Sequence, residues 1–213
     1  MIPVNVLAVR YLANASPALA KGLGAPAGMP SLGMLTTDCD DATYIALDAA
    51  TKAADVQVSY GRSFYAGAAN ASTPNAGEVI GVLAGATPGA VRSGMEAALS
   101  ALERLGFEET HGVPFLAQTV ASVGSFLAKE AGVPVGSAIA YLIAPPLEGM
   151  YAMDAALKAA DVKLCKLYAP PSETNFGGGL LSGSQSACDA ACAAFAQAVA
   201  EVAARPKGDS YGV

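Results

Sequence analysis

The sequence predicts an α/β fold built from two tandem copies of one small unit, each with four strands and flanking helices. Three observations predict it. Residues 48–58 (DAATKAADVQV) return at 154–164 (DAALKAADVKL), half a chain later, with eight of eleven positions identical. Shared helix propensity accounts for the alanines, but not for Asp48/Asp154, Lys52/Lys158, Asp55/Asp161 and Val56/Val162 in one register. Flanking matches extend the repeat: Leu19-Ala20-Lys21 faces Leu127-Ala128-Lys129, and LAG at 83–85 faces LSG at 181–183. β-rich runs and helical runs also follow the same order in both halves, which divides the 213 residues into domains 1–107 and 108–213. Finally, 53% hydrophobic residues against 14% charged ones supply enough apolar surface for packed cores.

The elements read in order. Val4–Tyr11 is β-rich. Ser16 followed by Pro17 is a helix start, a hydroxyl cap with proline at the first helical position, and the helix runs to about Leu23. Ser31–Thr37 is a strand, and Asp40–Ala54 a helix whose two leading aspartates suit the positive end of its dipole. Val56–Tyr60 alternates as a strand, 61–76 is a Gly/Ala/Asn loop, and Glu78–Ala84 is a further strand. Thr87-Pro88 opens a helix with Val91, Met95, Leu99 and Leu102 on one face. The second half repeats the pattern: strand 115–121, helix 125–131, strand 138–143, helix 145–160, strand 162–167, loop 168–178, strand 179–182 and helix 184–204. The segment between the halves, EETHGVP, reads as a polar turn.

Composition excludes several functions. A net charge of −6 (12 basic, 18 acidic) and a pI near 4.7, without basic clusters, disfavour nucleic acid and anionic membrane surfaces as partners. Four scattered cysteines do not make a disulfide framework. The longest uncharged stretch, between Thr110 and Lys129, is broken by Gly112, Pro114, Gln118 and Gly124, and the N-terminus lacks a signal-peptide pattern. A soluble, cytoplasmic protein is expected, and its 47 alanines with so few charges suggest surfaces buried in an oligomer or lattice.

Catalytic groups are sparse. His111 is the single histidine and sits in the polar turn, so no Ser–His–Asp or Cys–His arrangement is available without it. Cys188 and Cys192 share a helix face among alanines, which reads as packing, and no further metal ligands lie near. GGG at 177–179 and GAAN at 67–70 lack the Lys-Ser/Thr ending of a phosphate loop and read as flexible loops. No catalytic residue, metal or cofactor is expected.

What stands out instead is one long loop at the same point of each half, YGRSFYAGAANASTPNAG (60–77) and YAPPSETNFGGG (168–179). Connections longer than chain reversal needs mark functional segments. They carry Phe64, Tyr65 and Asn70 in one, Tyr168 and Phe176 in the other. A polar cluster also emerges from Asp38, Asp40, Asp41, Glu78, Glu173, Thr174 and Asn175. Carboxylates beside hydroxyl and amide groups suit a small cation that carries a hydroxyl; helix capping and loop solvation account for the same residues.

The stretches DDATY, YGRS, YAGAA, AGEV, APPLE, PPSETN and GSQ, within a match running from about Val6 to Ala204, closely resemble the tandem-domain shell proteins of ethanolamine-utilisation bacterial microcompartments. That resemblance implies two circularly permuted BMC domains, each an antiparallel four-stranded sheet flanked by helices. It implies a homotrimer that looks hexameric, tiles with other shell proteins, and has a gated central pore lined by the two long loops. It further implies a pocket for an ethanolamine-type metabolite at Asp40, Asp41, Glu78, Phe107, Thr174, Asn175 and Phe176, and a place in a microcompartment shell in the cytoplasm. The chain departs from relatives in the strand after the linker, where Gln118 stands in place of a His or Cys. A soluble tandem-domain sensor of small molecules, or a shell protein of a compartment with another substrate, is the alternative.

Overall fold

The computed structural model describes residues 1–64, 78–170 and 172–208, which form two compact units. The first comprises Pro3–Gly106 with Val123–Lys129; the second comprises Met1–Ile2, Phe107–Ser122 and Glu130–Val213.

The first unit is a four-stranded antiparallel sheet in the order β2 (Val6–Leu12), β3 (Ser31–Thr37), β5 (Glu78–Gly85), β4 (Val56–Phe64). Its side chains alternate between faces with the period of two that a pleated strand imposes. Leu32 on β3, with Val82 and Ala84 on β5, packs beside Ala20 and Leu23 of the short helix α1 (Pro17–Gly22) and its C-cap. The odd-numbered positions face the helices α2 (Asp40–Ala53) and α3 (Pro88–Leu102), which pack against each other. Glycine at these positions lets the helices approach: a Cβ on Gly81 would lie 2.5 Å from Leu47 of α2, and one on Gly33 2.8 Å from Val91 of α3. The expected caps form, with Ser16 Oγ accepting from Leu19 N and Thr87 Oγ1 from Ala90 N. On α3 the closed stripe is Val91, Met95, Ala98 and Leu102, while Leu99 is half-buried.

The second unit carries the order β1 (Ile2–Pro3), β6 (Gly106–Thr110), β7 (Val113–Val120), β8 (Ala138–Ala144), β10 (Gly177–Gly183), β9 (Val162–Tyr168). Its last four strands are the repeat of the first sheet; β1 and β6 are additional. The polar segment between the halves is therefore a hairpin rather than an unpaired turn. Thr110 faces Val113, and His111 and Gly112 both take positive φ (49° and 78°), the mirror-image turn whose twist matches the flanking strands. Helices α5 (Pro146–Ala159) and α6 (Gln185–Ala204) cover the sheet, with Phe195 and Val199 packed among Leu142, Met153, Leu181 and Cys188. The length and apolar composition of α6 would admit a membrane crossing, but here its Cys188–Val199 stripe is committed to the core.

Two loop boundaries move. β4 continues to Phe64, four residues past the expected end, because it keeps pairing with β5 up to Phe64 opposite Glu78. The GGG run is the start of strand β10, not a flexible loop: a Cβ at Gly177 would meet Pro170, one at Gly178 the Leu142 carbonyl, and one at Gly179 the Lys166 carbonyl. Glycine is required there by close backbone approach, not by mobility.

Although it lies in the second half of the sequence, the first turn of α4 (Ser125–Ala131) is held on α2 within the first unit. The fully buried Asp48 carboxylate accepts from Gly124 N (2.7 Å) and Leu127 N (2.9 Å), and Thr51 Oγ1 accepts from Ser125 N (3.1 Å). A side chain borrowed from another helix thus satisfies the amides that open α4.

Candidate functional site

In the first unit the acidic residues expected from sequence converge at the junction of β3, α2 and β5. Asp40 and Asp41 are the first two residues of α2, and Asp38, Asp40, Asp41 and Glu78 are all buried. The strand register explains the arrangement: Thr37, the last residue of β3, pairs with Val79, so Asp38 comes level with Glu78 at the same end of the sheet. Thr37, Cys39 and Thr43 lock the chain as it enters the helix, with Thr37 Oγ1 and Thr43 Oγ1 2.7 Å apart and Thr43 Oγ1 donating to Cys39 O at 2.7 Å.

The carboxylates are not equivalent. Asp38 is satisfied, accepting from Asn5 N (2.8 Å) and Asn5 Nδ2 (2.7 Å). Asp40 Oδ1 and Glu78 Oε1 are buried with no hydrogen-bond partner among the described residues. Burial pushes the Asp40 carboxyl up to about 6, against the pull of the Ser63 hydroxyl and the Asp41 backbone amide. Glu78 is raised by burial and then by the charge of Asp38, and the Cys39 thiol is held well above its ordinary value by burial and the Asp41 charge. An unpaired buried carboxylate oxygen is costly, and a cation is the group that most relieves it. The N-cap, Cys39, makes no side-chain cap bond, and the Asp40 carboxylate takes up backbone amides at the start of α2, its own and that of Asp41.

Ser63 belongs to this site although nothing in its sequence context marks it. It reaches Asp40, and its Oγ lies 2.7 Å from Tyr44 Oη. The strand alternation of β4 is the available signal, masked by the loop-like composition of the residues that follow Tyr60. Phe64 closes β4 opposite Glu78. Tyr65 and Asn70 lie outside the described residues.

In the second unit, Phe107 on β6 is fully buried and its ring stands 5.9 Å from that of Phe176, tilted by 57°. Phe176 follows a tight turn in which Ser172 Oγ donates to Phe176 O (2.6 Å) and accepts from Thr174 N (3.3 Å). Thr174 is buried; Asn175 is exposed, at φ 67°, a conformation asparagine tolerates better than most residues. Glu173, also in the sequence-derived cluster, is exposed to solvent. Tyr168, at the end of β9, stacks on Tyr141 with Lys166 over its ring. Gln118 donates to Thr119 O at 2.9 Å.

Comparison with known proteins adds a sequence and a structural likeness. Residues 31–115 match the BMC domain family. The chain is 57% identical over 212 residues to the bacterial microcompartment shell protein EutL of Clostridium perfringens, covering 98% of each. It superposes on the crystal structure of the ethanolamine utilization protein EutL from Leptotrichia buccalis at a TM-score of 0.90, with 56% identity over 96% of both chains. The trimeric microcompartment shell protein PduB, 19% identical, shares the fold at a TM-score of 0.79, covering 91% of this chain and 87% of that one.

Proposed function

This chain belongs to the EutL family of bacterial microcompartment shell proteins, and we propose that it works as a trimeric tile of such a shell, in the cytoplasm, with a metabolite site in each subunit. Its relatives are structural shell proteins rather than enzymes. The observation that carries the family role is identity above one half over almost the whole length of both chains. Three copies of a chain holding two BMC domains, 1–107 and 108–213, make six domains, the number a hexagonal tile needs. The shared fold with a trimeric shell protein supports that count. Neighbouring tiles would be other shell proteins of the same facet, and the long loops, with Phe64, Tyr65, Asn70, Tyr168 and Phe176, would line a gated pore.

For the metabolite, the supporting observation is the pair of orphaned buried oxygens, Asp40 Oδ1 and Glu78 Oε1. An ammonium group supplies hydrogen-bond donors and a positive charge to this acidic cluster, which also includes Asp41. Ethanolamine, named in a relative's description, is such a cation. The turn of Thr174, Asn175 and Phe176 in the second unit would offer a hydroxyl, an amide and the Phe176 ring, backed by the buried Phe107, to the same class of molecule. Binding should be weak, because a conduit must release what it binds. Calorimetric titration with ethanolamine, and with ethanol as the neutral control, tests the reading. Millimolar ethanolamine should bind and ethanol should not; heats equal for both, or absent for both, would remove the site.

A further inference from the structure

Ser63 Oγ and Tyr44 Oη meet at 2.7 Å because the register of β4 and the pitch of α2 bring them together. Gly61 and Ser63 pair with Gly81 and Val79 of β5, and the open side of Gly81 faces Leu47 of α2. Both β4 residues therefore look toward that helix. Asp40 and Tyr44 stand four residues apart on α2 and share one of its faces. The Tyr44 ring is held from two sides. A Cβ on Gly61 would lie 3.1 Å from Tyr44 Cε1, and the ring of Phe126, in the first turn of α4, is centred 5.8 Å away.

The Ser63 hydroxyl also favours the ionised form of the Asp40 carboxyl. A hydroxyl carries one proton, and an ionised carboxylate only accepts. With Asp40 ionised, Ser63 turns its proton to the carboxylate, so Tyr44 must be the donor in the 2.7 Å contact. The charge at one end thus sets the order Tyr44 to Ser63 to Asp40. Asp40 Oδ1 stays buried without a hydrogen-bond partner among the described residues, open to a donor from a ligand.

We propose that Ser63 and Tyr44 are positioning residues of the acidic site, a hydroxyl relay that keeps the Asp40 carboxylate charged for a small ammonium-bearing ligand. The inference rests on the metabolite reading above and adds to it two residues that need not touch the ligand. Gly61 and Phe126 fix the ring at the far end of the relay, so α4 takes part in the site through Tyr44. The other titratable groups around Asp40 are Asp38 at the end of β3, Cys39 and Asp41 beside it, and Glu78 on β5. Arg62, next to Ser63 on β4, lies over the Tyr60 ring instead. None of these groups is altered by removing either hydroxyl, so a changed pH profile reports on the relay.

Calorimetric titration with ethanolamine at pH 6 and pH 8 tests it, on the wild type, Ser63→Ala, Ser63→Thr and Tyr44→Phe, with circular dichroism of each. The Asp40 carboxyl titrates at about 6, so at the lower pH its ionised fraction is sensitive to the relay. Ser63→Ala should bind roughly three- to tenfold more weakly than wild type at pH 6 and within about twofold of it at pH 8. Ser63→Thr retains the hydroxyl and should restore wild-type binding at both. Tyr44→Phe retains the ring and should shift the profile in the same direction by less; it carries the test if Ser63→Ala loses the native spectrum. A loss of equal size at both pH values would mean a merely structural role and overturn the relay. Wild-type binding by Ser63→Ala and Tyr44→Phe at pH 6 would overturn it too, leaving the metabolite site standing. A wild type that binds no ethanolamine at either pH overturns the site and the relay together.

Discussion

Asp40 and Glu78 each bury an oxygen without a partner among the described residues, so at these two residues stability and binding are set against one another. Asp40 holds its proton up to about pH 6 when folded, above its ordinary value of 3.8. The folded state therefore binds more protons between those values, and stability should fall as pH rises from about 4 to 6. A bound ammonium favours the charged carboxylate, so ethanolamine should bind more tightly as pH rises through the same window and release a proton in doing so. Denaturation midpoints and titration calorimetry between pH 4 and 7 check both signs, and Asp40→Asn should flatten the stability profile. Glu78→Gln should cost one charge-assisted contact, roughly 1.5–3 kcal/mol, or about ten- to a hundredfold in affinity, and Thr174→Val about 1 kcal/mol. Titration of both variants separates these from simple misfolding, provided their spectra match the wild type.

At the scale of elements, the same aspartate position does two jobs. Asp48 is closed to solvent and joins α2 to the opening of α4, whereas Asp154 in the repeat makes one exposed ion pair with Lys158. Asp48→Ala should destabilise the protein by roughly 2–4 kcal/mol, since two buried amides lose a charged acceptor. Asp154→Ala should stay within about 0.5 kcal/mol, as exposed i,i+4 pairs contribute little. Chemical denaturation measures both, and hydrogen exchange should rise at Gly124 and Leu127 in the first variant alone. The β6–β7 hairpin gives a second contrast. Gly112→Val places a β-branched residue at φ 78° and should cost about 1–2 kcal/mol, detectable as a lowered melting temperature.

Across the whole molecule, most of the repeat is legible in the amino-acid sequence. Period-two and helical patterning, the Ser16 and Thr87 caps and the 106-residue offset place the core elements, two of them (31–37 and 125–131) with the observed boundaries. The patterning and the caps are local signals, carried by neighbours two to four residues apart, and the offset is a comparison of letters alone. Sequence and fold part company where local and tertiary preferences disagree. GGG at 177–179 looks mobile by composition, yet it is strand because Leu142, Pro170 and Lys166 leave room for nothing larger. The segment 61–64 looks like loop, yet β5 continues to pair with it. EETHGVP looks like a turn, yet its flanks find each other as a hairpin. The acidic residues are visible as letters, and their resemblance to a known pattern marks them. Which of them is satisfied is not visible, because Asn5 meets the hydrogen-bonding needs of Asp38 from 33 residues away while Asp40 and Glu78 are left short. By itself, then, the sequence determined the repeat, the element order and the family. Only the tertiary structure decided which of the repeated aspartates, Asp48 or Asp154, is covered, because burial depends on partners distant in the chain and near-identical segments carry no record of which one has found its partner.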